Sequence, residues 1–339
     1  MQRLPVQRHL QDLRYEIDPS GIEQAYLHRL NECFGNYGDE LVFDWVFKRP
    51  LATNPTSTIL VVKRGQSLIA GSALNYRTLK MSCGCKQRVG IMTSSWTKPE
   101  ERGNGHFMGF IRRSIEVAQA RECGALLAFV AESNASSRQL RAAGALMCKS
   151  FYLRHASAEG ANDGRIHDEV SLSEVSVSDL SLDINVSREY RNNYLRFDYP
   201  DMESWLSQFV LRPWPIRVFM LPSGHFSIVE EHGTTDRINT INASSPEARR
   251  RMIVGLLQRN KKLGRTLFLY STLEREADFC AQLGFEIIPG YIAMIPWQKS
   301  QQPTAKTCTS DSLPCSLELI WNSSVLPEDM WRLESGDRL

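Results

Sequence analysis

A basic, glycine-bearing loop at residues 97–107 carries the side chains best suited to chemistry in this sequence. Residues 88–93 before it are apolar and β-branched enough for a strand, and after it apolar side chains recur with helical spacing from Phe107 to Ala118. The first amides of a helix have no acceptor within the helix, and the positive end of its dipole faces the same point. Gly103 and Gly105 allow close approach of the backbone, and Arg102 adds a charged donor suited to phosphate oxygens. The loop therefore predicts a phosphate-binding site.

The loop differs from two common phosphate-binding motifs. A P-loop ends in Gly-Lys-Ser or Gly-Lys-Thr, which is missing here, and a dinucleotide fingerprint requires a third glycine at a defined spacing. Taken alone, Arg-Gly-x-Gly also fits an ordinary glycine turn with a surface arginine. The strand predicted before it and the helix predicted after it favour the anion site.

The segments after the loop follow a recognisable order. Gly124 is placed to end the helix, residues 125–131 predict an apolar strand, and Gly144 separates a short helix near residues 136–143 from another strand near residues 145–153. Over residues 60–153 this order resembles the GNAT family of acyl-CoA-dependent N-acyltransferases. The matching residues are Pro99, Glu100, Arg102, Gly103, Gly105, Gly124, Asn134, Ser136, Leu140 and Gly144.

The resemblance implies that acetyl-CoA, or another acyl-CoA, is the co-substrate and that the loop binds its pyrophosphate. It also implies that the strand before the loop pairs its backbone with the pantetheine arm, as an added β-strand would. His106 is expected to face solvent or phosphate rather than the amine, and Phe107 stands where the family has glycine or alanine. The cofactor-binding residues implied in this way are Ser95, Trp96, Thr97, Arg102, Gly103, Asn104, Gly105, His106, Phe107, Asn134 and Ser136.

The same resemblance implies direct attack of a neutral amine on the thioester, assisted by a general base and a general acid. Glu132, at the carboxyl end of a predicted strand, is the first candidate base, and a helix-capping or surface role fits it equally well. Asp44 is the second candidate, although structural pairing with an arginine is the better interpretation of it. Many family members carry a tyrosine as the acid where this sequence has Arg141. Tyr152 or water is then left as the acid, or else the protein is slow or inactive.

A second half repeats the order of predicted elements. After a polar linker at residues 155–167, the pattern of strands and helices resembles another GNAT fold that lacks the Arg-Gly-x-Gly loop. Ser245 and Pro246 instead fit a helix N-cap and first helical position, and residues 249–251 fit a solvated basic face better than a phosphate site. The second half is therefore interpreted as a degenerate copy that holds no coenzyme.

These patterns predict an α/β (α+β) fold with a mixed, mostly antiparallel GNAT-type sheet that is flanked by helices and present twice. The predicted organisation is an acyl-CoA-binding domain at residues 1–154, the linker at 155–167, the degenerate domain at 168–298, and a connector with a C-terminal arm at 299–339.

Composition argues against several classes of protein. With 40 Lys and Arg against 38 Asp and Glu, the net charge of +2 lacks the basic excess of a nucleic-acid-binding protein. No apolar run approaches the roughly 20 residues that span a bilayer, and residues 1–8 lack the apolar core of a secretory signal. The eight cysteines favour a reduced, cytoplasmic protein, and Cys83 and Cys85 fit a hairpin turn better than a metal or redox pair. No metal site is predicted.

Three functions stay open at this point. The first is an N-acetyltransferase that acts on the amine of a small molecule, as the intact loop from Arg102 to Gly105 indicates. The second is a CoA-binding regulator with little or no turnover, which Arg141 makes possible, and the third is a transferase for a longer acyl donor. A monomer and a homodimer fit the sequence equally well.

Overall fold

The computed structural model describes residues 13–80, 84–156, 169–180 and 195–297. The strands are β1 Leu13–Ile17, β2 Thr58–Arg64, β3 Ser67–Lys80, β4 Lys86–Thr97, β5 Ala125–Ala131, β6 Leu146–His155, β7 Ser173–Val175, β8 Arg196–Phe197, β9 Ile216–Met220, β10 Phe226–His232, β11 Thr235–Asn242, β12 Thr266–Ser271 and β13 Glu286–Pro296. The helices are α1 Glu23–Phe34, α2 Glu40–Phe43, α3 His106–Ala120, α4 Ala135–Ala142, α5 Met202–Phe209, α6 Pro246–Lys262 and α7 Glu274–Gln282. A π-helical turn at Asp44–Lys48 follows α2, and 3₁₀ turns lie at Pro99–Glu101 and Val177–Asp179.

Within the described residues, thirteen strands form one mixed sheet. Its order is β1-β2-β3-β4-β5-β13-β6-β12-β11-β10-β9-β7, and β8 pairs with β3. Among these strands only β4 with β5 and β11 with β12 are parallel neighbours. This arrangement confirms the predicted mixed, mostly antiparallel sheet flanked by helices.

The two halves of the chain exchange their last strands. β13, from the second half, lies between β5 and β6 of the first half, and β6 pairs in turn with β12. A division between residues 154 and 168 would therefore separate strands that are hydrogen-bonded to each other. The predicted domain boundaries stay a prediction from sequence order. Most of the predicted linker and the whole of the predicted C-terminal arm lie outside the described residues.

Two helical layers cover the first half of the sheet. On one face, α3 buries Phe110 and Ile111 against strand residues such as Leu126, because its apolar side chains recur at helical spacing. On the opposite face, α1 and the π-helical turn pack on the sheet, and Tyr26 of α1 is buried against Trp96 of β4. The carboxyl ends of β4 and β5 therefore lie between two packed layers that hold them in place.

The predicted end of α3 is wrong in one detail. The helix ends at Ala120, and Glu122, with φ of 59°, takes the left-handed conformation that was expected at Gly124. Gly124 instead lies against Gln87, whose side chain would be 2.6 Å from an added Cβ. Gly144 follows α4 with φ of 84°, as a helix-ending glycine should.

Candidate functional site

Strands β4 and β5 diverge and leave a cleft between them. They pair only over residues 90–92 and 126–128. Beyond that point β4 stays with β3 and β5 stays with β13, so the facing edges at residues 93–97 and 129–131 are not joined to each other. The cleft has a volume of about 770 Å³. An open strand edge can pair with an extended chain.

A β-bulge bends β4 where the cleft begins. The register with β3 shifts between Gly71 and Ala73, so that Ser94 and Ser95 together oppose Ser72. Ser94 has φ of 50°, a left-handed conformation that costs a non-glycine residue on the order of 1–2 kcal/mol. The hydroxyls of Ser72 and Ser95 lie 2.8 Å apart. The bulge thus places a strained serine two residues beyond Met92, the last residue of β4 that pairs with β5.

Helix α3 begins at the cleft, after the glycine-bearing loop. Gly103 and Gly105 have φ of 83° and 80°, so both glycines adopt a left-handed conformation that other residues avoid. Arg102 is exposed, and its Nε donates to the Thr97 carbonyl at 3.4 Å. The first amides of α3 have no acceptor one turn earlier in the helix. Together with the charge of Arg102 they are suited to an anionic ligand.

Glu101 is a buried carboxylate that holds this loop. Arg64 donates to both of its oxygens, Asn104 donates to it at 3.2 Å, and His106 Nε2 lies 3.7 Å from it. The hydrogen bond from Arg64 is the main cause that lowers the pKa of Glu101 from its ordinary value of 4.5. His106 is only 3% exposed, so it does not face solvent, and the alternative that it faces phosphate stays a prediction. Its ring lies between the cleft and Glu101 because the loop folds around this carboxylate.

The cleft is lined by all but one of the predicted cofactor-binding residues. Those that line it are Ser95, Trp96, Thr97, Arg102, Gly103, Gly105, His106, Phe107, Asn134 and Ser136. Asn104 is the exception, because its side chain turns to Glu101. These residues come from β4, the loop, α3 and the start of α4. The structure thus brings them together around one space, and the ligand that they bind stays a prediction.

The three predicted catalytic residues are not part of the cleft lining as the described residues form it. Glu132 is exposed and accepts a 2.5 Å hydrogen bond from the Tyr291 hydroxyl. Tyr152, on β6, is buried against the rings of Phe268 and Tyr270 on β12. Asp44 is exposed and pairs with Lys48 at 2.9 Å, whereas an arginine was expected as its partner. Their catalytic roles stay predictions that their positions do not support.

Arg141, which stands at the place of the family's tyrosine, faces β13. Its guanidinium lies 5.5 Å from the centroid of the Tyr291 ring. The hydrogen bond from Tyr291 to Glu132 is the main cause that raises the pKa of this tyrosine. Tyr291 lies opposite Val130, which does line the cleft. The three polar side chains therefore form a cluster beside the cleft and not within it.

The sequence did not indicate that α1, or the residues of β4 and β5 where the two strands separate, would line the cleft. The missed lining residues are Cys33, Phe34, Met92, Thr93, Ser94, Glu101, Met108, Ala128, Phe129, Val130, Ala135, Gln139 and Leu140. Glu101 lies within the loop motif and could have been found there. Nothing in the local pattern marks Cys33 or Phe34, and a left-handed serine has no sequence signature.

The second half begins its long helix differently. Ser245 caps α6 by accepting the amide of Ala248 at 3.1 Å, and Pro246 is the first helical residue, which confirms both predictions. Arg249 is buried and donates to both oxygens of Glu276 on α7. The prediction of a solvated basic face is therefore wrong for this residue, although its two successors are exposed. An ion pair therefore joins the first turn of α6 to α7, whereas the first turn of α3 faces the cleft.

The described residues lack two further features. No three His, Cys, Asp or Glu side chains among them lie close enough together to hold a metal ion. Within the same ranges, none of the helices combines the length and the apolar character that a bilayer-spanning segment requires.

Comparison with known proteins identifies the fold through structure alone. No protein-family model and no curated protein matches this sequence. A GCN5-related N-acetyltransferase from Anabaena variabilis superposes with a TM-score of 0.58 at 13% identity, over 83% of this chain and 72% of that one. Another from Sphaerobacter thermophilus gives 0.54 at 13% identity, over 84% and 95%. Saccharomyces cerevisiae N-myristoyltransferase, solved with bound myristoyl-CoA, gives 0.60 at 12% identity, over 87% and 82%.

The chain has the GNAT fold. The predicted resemblance is thereby confirmed at the level of architecture, and it extends over both halves because each match covers more than four fifths of the chain. At such low identity a shared GNAT fold does not specify a reaction, so function has to be argued from the cleft.

Proposed function

We propose that this protein is an acyl-CoA-dependent N-acyltransferase that transfers an acyl group, most simply acetyl, to the amine of a small molecule. The observation that carries the proposal is the joint position of the cleft and the loop. The open edges of β4 and β5 end at the N-terminus of α3, and Arg102 stands at that end. An extended chain that ends in phosphates matches both parts of this site.

The residues present fit acyl-CoA in three respects. The left-handed Gly103 and Gly105 leave open space where a side chain would stand, so phosphate oxygens can approach the loop backbone. The free edge of β4 offers amide and carbonyl groups to the pantetheine arm. Asn134 and Ser136, at the start of α4, supply polar groups on the other side of the cleft. The N-myristoyltransferase of similar fold was solved with myristoyl-CoA bound, which is consistent with an acyl-CoA donor.

In this proposal the first half of the chain binds the donor and the second half does not. Arg249 and Glu276 join α6 to α7 in the second half, whereas the start of α3 faces the cleft. The second half is then a degenerate GNAT copy that contributes β13 and part of the surroundings of the acceptor.

The test is a screen of primary amines with acetyl-, hexanoyl- and myristoyl-CoA as donors, in which the N-acylated product is detected by mass. Product mass is the better readout because Cys33 lines the cleft and would complicate a thiol assay. Donor-dependent acylation of an amine, lost in Arg102→Ala, supports the transferase. Donor binding with no product from any amine would overturn it in favour of a CoA-binding regulator, and the preferred donor decides the acyl length.

A further inference from the structure

Ser94 is held in its left-handed conformation by two tyrosines from the α1 region. The Tyr26 hydroxyl donates to the Ser94 carbonyl at 3.2 Å. The Tyr37 hydroxyl lies 3.0 Å from Ser94 Oγ, and Thr93 Oγ1 lies 3.4 Å from the same atom. Strain of this kind persists only where the surroundings enforce it, and it is concentrated at functional sites. Hydrogen bonds with these tyrosines therefore fix both the backbone and the side chain of Ser94 where the cleft begins.

Either hydroxyl of the Tyr37–Ser94 pair can donate the hydrogen bond between them, and the proposal takes the arrangement in which Tyr37 donates. Burial raises the pKa of Tyr37 to about 12, so this phenol stays protonated at neutral pH. A serine hydroxyl has one proton to donate and two lone pairs that accept. With Tyr37 as the donor, the hydroxyl proton of Ser94 is left to point elsewhere. Ser94 and Thr93 both line the cleft, where the two strands stop pairing.

We propose that Ser94 is a catalytic proton shuttle for the transfer, and that Tyr37 is the residue that positions it. The inference rests on the function proposed above. As the amine nitrogen forms its bond to the acyl carbon, the carbon–sulfur bond breaks and its electron pair goes to sulfur. The amine nitrogen gives its proton to Ser94 Oγ while the Ser94 hydroxyl gives its own proton to sulfur. The products are the amide and the free thiol, and Ser94 ends in its starting form.

This assignment accounts for a site without a tyrosine acid on α4. Arg141 stands at that place and faces Tyr291 beside the cleft. The shuttle requires no strongly acidic or basic side chain in the cleft, since one hydroxyl both accepts and donates. Tyr37 keeps its proton throughout and orients the serine.

The experiment compares Ser94→Ala with Ser94→Gly, because both lack the hydroxyl and only glycine is relaxed at φ of 50°. The assay is acyl transfer from acetyl-CoA to the best amine found in the screen. We expect kcat to fall on the order of 10²-fold in both variants, with little change in KM for acetyl-CoA. We expect the ratio of kcat in H2O to kcat in D2O to approach 1 in both. Tyr37→Phe should lower kcat about tenfold, as the loss of one hydrogen bond would, and Tyr15→Phe on exposed β1 is its control.

The outcomes separate this inference from the proposed function. If the wild type acylates no amine, the proposed function falls and the shuttle falls with it. If the wild type is active and both Ser94 variants keep kcat within a factor of 2, the shuttle alone is overturned. If Ser94→Gly keeps the activity and the solvent isotope effect while Ser94→Ala loses activity, the backbone conformation matters and the hydroxyl does not, which also overturns the shuttle. Acetyl-CoA should still raise the melting temperature of both variants, which shows that they fold and bind the donor.

Discussion

The guanidinium of Arg64, at the end of β2, donates to both carboxylate oxygens of Glu101 within the glycine-bearing loop. This ion pair ties the first hairpin of the sheet to the proposed phosphate site. Asn104 and His106 turn toward the same carboxylate from the loop and from the first turn of α3. The shape of the anion site therefore depends on one buried acid that does not itself suit a phosphate ligand.

Glu101→Gln should lower the melting temperature at neutral pH but not at acidic pH. Because the pKa of Glu101 is lower in the folded protein than its ordinary value of 4.5, its ionised form adds stability. That stability is fully present above the unfolded value and is lost as the pH falls through the folded value. The difference in melting temperature between wild type and variant should shrink below a pH of about 4.5.

The control for this experiment is Glu100→Gln, which changes an exposed neighbour in the same turn. Its melting temperature should follow that of the wild type across the titration. A constant difference between wild type and Glu101→Gln from neutral to acidic pH would contradict the role assigned to this ion pair.

Gly105→Ala should destabilise the protein and weaken donor binding, whereas Gly105→Asn should be tolerated better. Gly105 has φ of 80°, and a left-handed alanine costs about 1–2 kcal/mol, while asparagine visits this region more readily. No atom lies within 4 Å of the position of an added Cβ, so the cost is conformational and not steric. Urea unfolding of the three proteins measures it. Equal stability of all three would show that the loop does not require the left-handed backbone.

Most of the first half of the fold could be predicted from the sequence because its signals are local. Runs of apolar and β-branched residues predicted the strands, and the helical spacing after Phe107 predicted α3. The loop residues line the cleft as expected because Gly103 and Gly105 require a defined backbone. The exchange of β6 and β13 could not be predicted, since a strand's neighbours depend on tertiary packing and leave no local pattern.

The candidate catalytic residues show the limit of reasoning from spacing. Glu132 was a candidate because it follows a predicted strand, and Arg141 stands where many members of the resembled family carry a tyrosine. In the structure both contact Tyr291 from the second half. The strand exchange brings this tyrosine to them, and no sequence pattern near residue 132 predicts the contact. Ser94 was missed for a related reason, since its conformation depends on Tyr26 and Tyr37 far away in the sequence.

Arg249→Met should destabilise the second half without weakening donor binding. The substitution removes the guanidinium that donates to both oxygens of the buried Glu276 carboxylate, and breaking a buried pair in this way costs about 3–5 kcal/mol. Adding Glu276→Leu should recover part of the loss, because an apolar pair can replace a buried ion pair. Arg251→Met, on the exposed side of the same helix, is the control.

The free energy of unfolding in urea is the measurement for this series. Equal stability of Arg249→Met and Arg251→Met would contradict a buried, stabilising pair. Loss of acetyl-CoA binding in a folded Arg249→Met protein would contradict the assignment of the donor to the first half alone.

Thermal stabilisation by acetyl-CoA is the measurement that decides whether acyl-CoA binds at the loop before α3. The comparison uses wild type, Arg102→Ala with Gly105→Val, and Arg112→Ala as a control on the exposed side of α3. Acetyl-CoA at about 100 times its Kd should stabilise the wild type and the control by about 2.7 kcal/mol, seen as a higher melting temperature. This increase should be lost in the double variant. An equal increase in all three proteins, or none in the wild type, would contradict binding at this loop.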